Sequence, residues 1–343
     1  MKRHGVSLFL FFAFLTCLLI VSVPSHTSAQ QVIKLNWANF FPPPEPHSAN
    51  IEAFGKEIEK RTNGRVQFTF FHGGTLSPAD QIYDAVVKGI ADVGLSCFTY
   101  TRGKFPLTEV IDLPLGLKNG VTATRMANAW LKKFQPKELD EVKMLYIHAH
   151  GPGLIHTVKK PVATLDDLKG MKIRSTGLAS KIIMALGASP VGTTMPETYD
   201  ALRTGVAEGA TAPIQALKGF RWGEVVKYTI LNYGSSYSTG FFVAMNKSKW
   251  NSLPPDIQKI FEQVSAEWIE KTGALWDSTD QDGIKFITDR GNKMLPLSKE
   301  EDDKWAAKVR PLLDQYVKDM QAKGLPGAES LKFAQDYIKA NQK

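Results

Sequence analysis

The segment from residue 164 to residue 213 constrains the fold most, because strand and helix signals alternate along it. Its sequence is TLDDLKGMKIRSTGLASKIIMALGASPVGTTMPETYDALRTGVAEGATAP. Residues 171–175 alternate apolar and polar side chains, as a short strand does, and residues 178–186 have the apolar spacing of a helix. Residues 189–193 form a second candidate strand, and Pro196 stands where the next helix would begin. This β-α-β-α order predicts an α/β fold with a largely parallel sheet.

Arg174 is the leading candidate for ligand binding, because it stands at the carboxyl end of the first of these strands. In open α/β sheets, ligands bind in the crevice outside such strand ends. The planar guanidinium group offers paired donors that fit the two oxygens of a carboxylate. The alternative is a solvated arginine that pairs with a surface acid, since most arginines are exposed. The sequence therefore predicts an anion site at Arg174 and leaves the solvated arginine open.

The first 29 residues have the features of a secretory signal peptide. Lys2 and Arg3 form a basic start, residues 6–23 carry no charge, and small residues precede a cleavage point after Ala29. The alternative is an uncleaved anchor, because about 18 apolar residues could just span a bilayer. We expect cleavage and a periplasmic protein that begins at Gln30.

Length and charge indicate two domains and argue against a nucleic-acid partner. About 314 residues would remain after cleavage, which is more than one compact core usually holds. The formal charge of the 343-residue chain is +8, and the basic residues are interleaved with acids rather than clustered in a stripe. Cys97 is the one cysteine left after cleavage, so the mature chain has no partner for an intramolecular disulfide.

Further candidates for the ligand site follow other predicted strands. Asn39 and Phe41 come after a strand at 33–37, at the start of the Pro-rich loop FFPPPEPHS. Phe41 would provide an apolar wall, or alternatively pack in the domain core. Tyr100 follows an apolar strand at 91–96, and its phenol combines an apolar face with a polar group.

Motifs of catalysis and of metal binding are missing from the sequence. It contains no G-x-S-x-G, H-E-x-x-H or phosphate-binding G-x-x-x-x-G-K-[ST] motif, and no paired-cysteine metal motif. His148 and His150 form an H-x-H pair, but no third zinc ligand is evident. Cys97 could be a nucleophile, although a lone cysteine after an apolar strand is more often structural. We therefore predict no catalytic residue, no metal and no cofactor.

The motifs DLKGMKIR, GASPV and MPETYDALRTGVAEG closely resemble the periplasmic solute-binding proteins of TRAP transporters, of the C4-dicarboxylate type. NGRVQFTFFHGGTLSPADQIYDAVVKGIADVG and GKFPLTEVIDLP also look like signatures of this family, so the resemblance runs from about Ile33 to beyond Pro255. It implies a two-domain periplasmic binding protein fold, with a mixed, largely parallel sheet in each domain and a long helix that spans both. The implied domains are residues 30–152 with 241–285, and residues 153–240 with 286–343.

The resemblance also implies a function. Such proteins close by a hinge on a small organic acid anion and deliver it to the membrane permease subunits; we expect this one to be a monomer. In the family, the arginine of the KIR segment pairs with the substrate carboxylate, a role that falls here to Arg174.

Two departures from the family pattern bear on the ligand. Many members have a second arginine in the region that corresponds to 151–157, where this chain has none and His156 is the nearest polar substitute. An asparagine is frequent before the proline that corresponds to Pro213, where this chain has Ala212 beside Thr211. Both losses favour a monocarboxylate or small sulfonate over a dicarboxylate.

The full set expected to contact the ligand includes two aromatic residues from a cluster at 220–237. It comprises Arg174, Asn39, Phe41, Tyr100, His156, Thr211, Trp222 and Tyr237. Two other functions remain open, a secreted enzyme that acts on a small anionic substrate and a periplasmic ligand sensor. Turnover by the pure protein would indicate the enzyme, and neighbouring permease genes would favour transport over sensing.

We expect the protein secreted to the periplasm of a Gram-negative host to begin at Gln30. The basic start, the apolar run and the small residues before Ala29 are the features that signal peptidase requires. N-terminal sequencing of the periplasmic fraction tests this. Recovery of the protein in the membrane fraction with residues 1–29 retained would contradict it.

Overall fold

Two β-sheets organise residues 32–342, the part of the chain that this computed structural model describes. The expected signal peptide at 1–29 lies outside the described residues. The strands are β1 (Ile33–Asn39), β2 (Val66–Phe71), β3 (Val93–Cys97), β4 (Val142–Ala149), β5 (Leu154–Thr157), β6 (Lys172–Arg174), β7 (Ser189–Val191), β8 (Gly209–Ala212), β9 (Tyr228–Leu231), β10 (Gly240–Asn246) and β11 (Lys293–Pro296). The first sheet has the order β2-β1-β3-β10-β4, and the second has the order β11-β9-β5-β8-β6-β7.

Helices cover both sheets, as the predicted α/β class requires. They are α1 (Pro46–Arg61), α2 (Ile82–Val87), α3 (Gly120–Phe134), α4 (Leu165–Leu168), α5 (Gly177–Ala185), α6 (Met195–Thr204), α7 (Gln215–Gly219), α8 (Lys247–Ser252), α9 (Pro255–Asp289), α10 (Lys299–Val309), α11 (Pro311–Ala322) and α12 (Gly327–Asn341). Within residues 32–342, no helix combines the length and the apolar composition needed to cross a membrane.

Each sheet mixes parallel and antiparallel pairs. In the first, β1 pairs in parallel with β2 and β3, whereas β10 is antiparallel to β3 and β4. In the second, β6 is parallel to β7 and β8, and β5 is antiparallel to β8 and β9. Strand β10 enters the first sheet after the chain has completed most of the second. We call the first sheet with α1, α2 and α3 the first lobe, and the second sheet with α4–α7 and α10 the second lobe.

The β-α-β-α segment expected at 164–213 is confirmed as β6, α5, β7 and α6. Its helix ends carry local signals. At the start of α6, Glu197 accepts hydrogen bonds from the backbone N–H and the hydroxyl of Thr194, at 2.8 and 2.7 Å. Gly205 ends the helix in the left-handed conformation, with φ of 79°. These short-range interactions fix the start and the end of α6.

Helix α9 connects the two lobes. Its 35 residues span about 50 Å, and it packs against α1, α3 and β4 of the first lobe and α7 of the second. At Trp268 the indole N–H donates to the carbonyl of Asn50, 3.1 Å away in α1. At Gly283 a Cβ atom would lie 2.5 Å from the carbonyl oxygen of Ile214 in the second lobe. The long helix that the resemblance implies across both domains is therefore confirmed as α9.

The last three helices divide between the lobes. Helix α10 belongs to the second lobe, where Glu301 accepts a 2.8 Å hydrogen bond from the backbone of Leu165. Helix α12 packs against α3, and Ser330 accepts a 2.7 Å hydrogen bond from the indole of Trp130. The domain boundaries expected from the sequence stay a prediction, with residues 286–343 in the second domain. From these contacts, we propose that residues 311–342 belong to the first domain instead.

We expect Trp130→Ala to lower the free energy of unfolding by about 3–5 kcal/mol, because it removes a fully buried indole and leaves a cavity between α3 and α12. Urea unfolding followed by circular dichroism measures the change. Lys339→Ala on the exposed side of α12 is the control, with an expected change within about 0.5 kcal/mol. Equal stability of the two variants would contradict the docking of α12.

Candidate ligand-binding site

The carboxyl ends of strands from both sheets meet at a cleft between the lobes. In the first lobe, Phe41 follows the end of β1, and Cys97 ends β3. In the second lobe, β6 ends at Arg174 and β8 ends at Ala212. This is the location at which open α/β sheets bind ligands, and here two sheets contribute to it from opposite sides.

A cavity of about 30 Å³ lies in this cleft. Five of the eight residues expected to contact a ligand line it, namely Arg174, Phe41, Tyr100, Thr211 and Tyr237. The other lining residues are Phe40, Cys97, Thr99, His150, Thr176, Met195, Ala212, Pro213, Gln215, Thr239, Phe241 and Trp276. Two wider clefts of about 410 and 580 Å³ adjoin the cavity. The small cavity is the candidate site, because among the three it is the one that Arg174 lines.

Arg174 is buried, with 3% of its surface exposed. Its Nε donates to the carbonyl of Thr193 at 2.8 Å, and its Nη1 lies 3.4 Å from the carbonyl of Thr211. Its Nη2 is buried and has no hydrogen-bond partner among residues 32–342. A buried charged group with an unmade hydrogen bond is costly. The site therefore favours an anion that supplies the missing acceptor, and Arg174 is not the solvated arginine of the alternative.

Trp222 supports Arg174 from behind. The guanidinium carbon lies 5.7 Å from the centre of the indole ring, within cation–π range. Trp222 is fully buried and is not among the residues that line the cavity. Trp222 therefore packs against the cation that would hold a ligand, and its expected direct contact with the ligand stays a prediction.

Two tyrosines add polar groups to the cavity wall. Tyr237 donates to the hydroxyl of Thr211 at 3.1 Å, and that hydroxyl lies 3.4 Å from the carbonyl of Arg174. Tyr100 accepts a 3.0 Å hydrogen bond from the backbone N–H of Met195. Burial raises the pKa of Tyr237 to about 12 and also raises the pKa of Tyr100. Both phenols are therefore neutral at pH 7, and the Tyr100 proton can be donated to a ligand.

Asn39 lies outside the cavity lining, and its amide organises the Pro-rich loop; its expected contact with a ligand stays a prediction. Its Nδ2 donates to the carbonyl of Phe41 at 3.2 Å and to the hydroxyl of Ser48 at 3.0 Å. Its Oδ1 accepts from the backbone N–H of Phe41 at 3.1 Å. These bonds direct Phe41 towards the cavity, so Asn39 acts on the site through its neighbour.

His156 also lies outside the cavity lining, within the second sheet. Its Nε2 donates to the carbonyl of Ala212 at 3.1 Å, and its Nδ1 lies 3.0 Å from the hydroxyl of Thr229. Burial lowers the pKa of His156 to about 4, so the ring is neutral at pH 7. Both ring nitrogens have partners on neighbouring strands, and the ligand contact expected of His156 stays a prediction.

Several residues that line the cavity are not among those predicted from the sequence. Thr176 follows Arg174 by two residues and Gln215 follows Pro213 by two, so both carried a positional signal. The sequence indicates His150 only as part of an H-x-H pair that could bind zinc. Trp276 comes from the long helix α9, and no local pattern separates it from the residues of a helix core.

The described residues offer little for covalent or metal chemistry. Burial raises the pKa of the Cys97 thiol well above its usual value, so the reactive thiolate is disfavoured at pH 7. Within residues 32–342, no three His, Cys, Asp or Glu side chains come together as metal ligands. His148 is used elsewhere, since its Nδ1 accepts a 3.0 Å hydrogen bond from Trp276.

Contacts between the lobes close over the cavity. The Tyr100–Met195 hydrogen bond joins the two lobes, and Phe40 of the first lobe stacks on Phe220 of the second at 6.3 Å. Gly177 begins α5 with φ of 54°, and a Cβ atom there would lie 2.7 Å from the Thr99 side chain across the cleft. Glycine is required at this position both for its backbone conformation and for this close approach. The structure is therefore that of a closed form.

Comparisons with known proteins identify the family. The model of the bacterial extracellular solute-binding proteins of family 7, DctP, matches residues 38–319. A solved TRAP periplasmic solute-binding protein from Desulfovibrio salexigens is 34% identical, with a TM-score of 0.79 and coverage of 91% of this chain and 97% of that one. A solved TRAP solute-binding protein from Rhodoferax ferrireducens, in complex with copurified benzoate, is 27% identical, with a TM-score of 0.86 and coverage of 90% and 98%.

A third relative is known by its sequence. It is a monocarboxylate 2-oxoacid-binding periplasmic protein of Nostoc sp., 25% identical over 327 residues, with coverage of 88% of this chain and 85% of that protein. The family match covers most of the chain, and the two sheets, the crossing strand β10 and the long helix α9 agree with the fold expected from the sequence. The chain therefore belongs to the DctP family of bacterial extracellular solute-binding proteins and is a TRAP periplasmic solute-binding protein.

Proposed function

We propose that this protein captures a small organic monoanion, a monocarboxylate or a small sulfonate, and delivers it to the membrane permease subunits of a TRAP transporter. The observation that carries the proposal is the buried Arg174, whose Nη2 has no hydrogen-bond partner among residues 32–342. A carboxylate can accept from this group, and a sulfonate offers the same kind of oxygen acceptor.

The proposed preference for a ligand with a single negative charge follows from the other residues that line the cavity. Arg174 is the one arginine or lysine among the residues that line the cavity. His150 also lines it, but burial lowers its pKa to about 4, so it is neutral at pH 7. A second carboxylate would be buried without a cationic partner, and an unpaired buried charge is expensive. A dicarboxylate is therefore disfavoured.

The body of the ligand would lie against an apolar, aromatic wall. The ring centres of Phe41 and Phe241 are 6.1 Å apart, and those of Trp276 and Phe241 are 5.1 Å apart. Such rings suit a short aliphatic chain or a flat ring. The benzoate held by the Rhodoferax protein and the 2-oxoacids named for the Nostoc protein both belong to the monocarboxylates, which supports this class.

Closure of the lobes would couple capture to delivery. The ligand would bind an open form through Arg174, and the second lobe would then bring Met195 against Tyr100. A ligand shifts the equilibrium only by its differential affinity for the two forms, and a closed cavity surrounds the anion on both sides. We propose that the permease recognises this closed monomer, and that the ligand is released unchanged.

We expect Arg174→Ala to weaken binding of a monocarboxylate by about 2–5 kcal/mol, the usual cost of removing one side of a buried charged pair. Arg174→Lys should also bind more weakly than the wild type, because an ammonium group cannot reproduce the guanidinium fork. Isothermal titration with pyruvate, benzoate, ethanesulfonate and succinate measures both effects. Arg203→Ala, an exposed arginine of the same lobe that pairs with Asp200, is the matched control.

The same titrations can refute the proposal. A wild-type protein that prefers succinate to every monoanion would contradict the proposed charge preference. Affinity of Arg174→Ala equal to that of Arg203→Ala would contradict the role of Arg174. Product formed from any of these acids by the pure protein would favour the enzyme alternative.

A further inference from the structure

Gln215 is held at both its backbone and its side chain by carboxyl groups. Its backbone N–H donates to Oδ1 of Asp280 in α9 at 2.8 Å. Its Nε2 donates to Oε1 of Glu45 at 2.6 Å. Asp280 comes from the helix that connects the lobes, and Glu45 comes from the first lobe, 170 residues earlier in the chain. Gln215 is itself 2% exposed, so this orientation is enforced inside the protein.

Glu45 fixes which end of the Gln215 amide faces the cavity. Its carboxyl group accepts from the backbone N–H of His47 at 2.7 Å and from the His47 ring nitrogen Nδ1 at 2.9 Å. With two donors already directed at it, the carboxyl group acts as an acceptor and selects the NH₂ end of the amide. A Cβ atom on Gly219 would lie 2.5 Å from this Nε2, so the NH₂ end is enclosed.

The carbonyl end of the amide remains available. Gln215 lines the cavity, and its Oε1 accepts no hydrogen bond from any of the residues 32–342. It is not among the fully enclosed polar atoms that lack a partner, so it is accessible. Gln215 also lines the adjoining cleft of about 580 Å³, together with Glu45 and Gly219, which surround its Nε2 end. Neither Glu45 nor Gly219 lines the small cavity, so the opposite end of the amide, Oε1, lies on the side of the small cavity. The cavity therefore contains a free hydrogen-bond acceptor of fixed direction.

His150 provides a second acceptor by the same logic. Its Nδ1 lies 2.6 Å from the carbonyl of Gly151, and since a carbonyl cannot donate, Nδ1 carries the proton. The lone pair of the neutral ring is then on Nε2, which receives no hydrogen bond from residues 32–342. His150 lines the same cavity as Gln215 and is 2% exposed. Two acceptors thus share a cavity whose one cation is Arg174.

We propose that Gln215 and His150 select ligands that carry a hydroxyl or N–H donor in addition to the carboxylate bound by Arg174, and that Glu45 is the positioning residue that orients Gln215. This inference rests on the proposed function, since it assumes an anion at Arg174. A ligand that carries a methyl group in place of the hydroxyl or N–H would bury both acceptors and leave them without a hydrogen bond. Unsatisfied buried acceptors reduce affinity, and sites built to bind a polar group reject analogues that lack it.

Matched pairs of acids test the proposal, because each pair keeps size and charge while exchanging a donor for a methyl group. One pair is 3-hydroxypropionate and butyrate, and the other is 3-hydroxybenzoate and 3-methylbenzoate. In at least one pair, we expect the wild type to bind the hydroxy acid about 10-fold or more tightly. Gln215→Met, which keeps the length of the side chain and removes the acceptor, should reduce this ratio to about 3-fold or less.

Glu45→Gln tests the positioning role. A glutamine there can present either a donor or an acceptor, so the Gln215 amide is free to rotate and the ratio should fall without loss of the cavity wall. The ratio of the two affinities is the readout, since a merely destabilised protein would lose affinity for both acids equally. Gln321→Met on the exposed surface of α11 is the control for removing a glutamine and should keep the wild-type ratio.

Different results refute different claims. Equal affinities within both pairs, or a preference for the methyl compound, would overturn the inference while leaving the proposed monoanion site intact. A ratio that survives in Gln215→Met would overturn the assignment to Gln215. Failure of the wild type to bind any of the four acids would contradict the proposed function and this inference with it.

Discussion

The central constraint of the site is the burial of a positive charge, Arg174, that has no ion-pair partner among residues 32–342. Arg174 is held by backbone carbonyls and by the face of Trp222, which are polar or polarisable but carry no negative charge. Desolvating a cation in this way is expensive unless an acceptor completes its hydrogen bonds. The surrounding structure opposes this cost. The short strand β6, the capped helix α6 and the closed lobes all hold the guanidinium group in position. An anion that binds there would remove the penalty, so under the proposed function ligand binding and lobe closure would favour each other.

Around this charge, the cavity is built from elements that are distant in sequence. Aromatic side chains follow the strands of the first lobe, polar groups follow the strands of the second, and α9 adds Trp276 and anchors Gln215 through Asp280. Most of these contributions are made at a strand end, in the loop directly after one, or on a helix. When the groups that contact a ligand are held rigidly, small chemical differences between ligands produce differences in binding affinity.

The sequence was informative where the physical cause is local. The alternation of residues 171–175 predicted the strand end at Arg174, and the resemblance to the family predicted a long helix that spans both domains, which is α9. It did not indicate which polar side chains have their hydrogen-bonding groups used within the protein itself. Asn39 and His156 have polar side chains near strand ends, but partners in the neighbouring backbone or on adjacent strands use their hydrogen-bonding groups. The role of Gln215 depends on Glu45, which no pattern within 164–213 could indicate.

The most direct test of the central claim is a crystal structure of the protein with a bound monocarboxylate, either copurified or added as benzoate or pyruvate. The account predicts that the carboxylate lies between the lobes, with one oxygen within about 3 Å of Nη2 of Arg174, and that the lobes are closed around it. A carboxylate bound elsewhere in the cleft, with Nη2 of Arg174 still lacking an acceptor, would contradict the account.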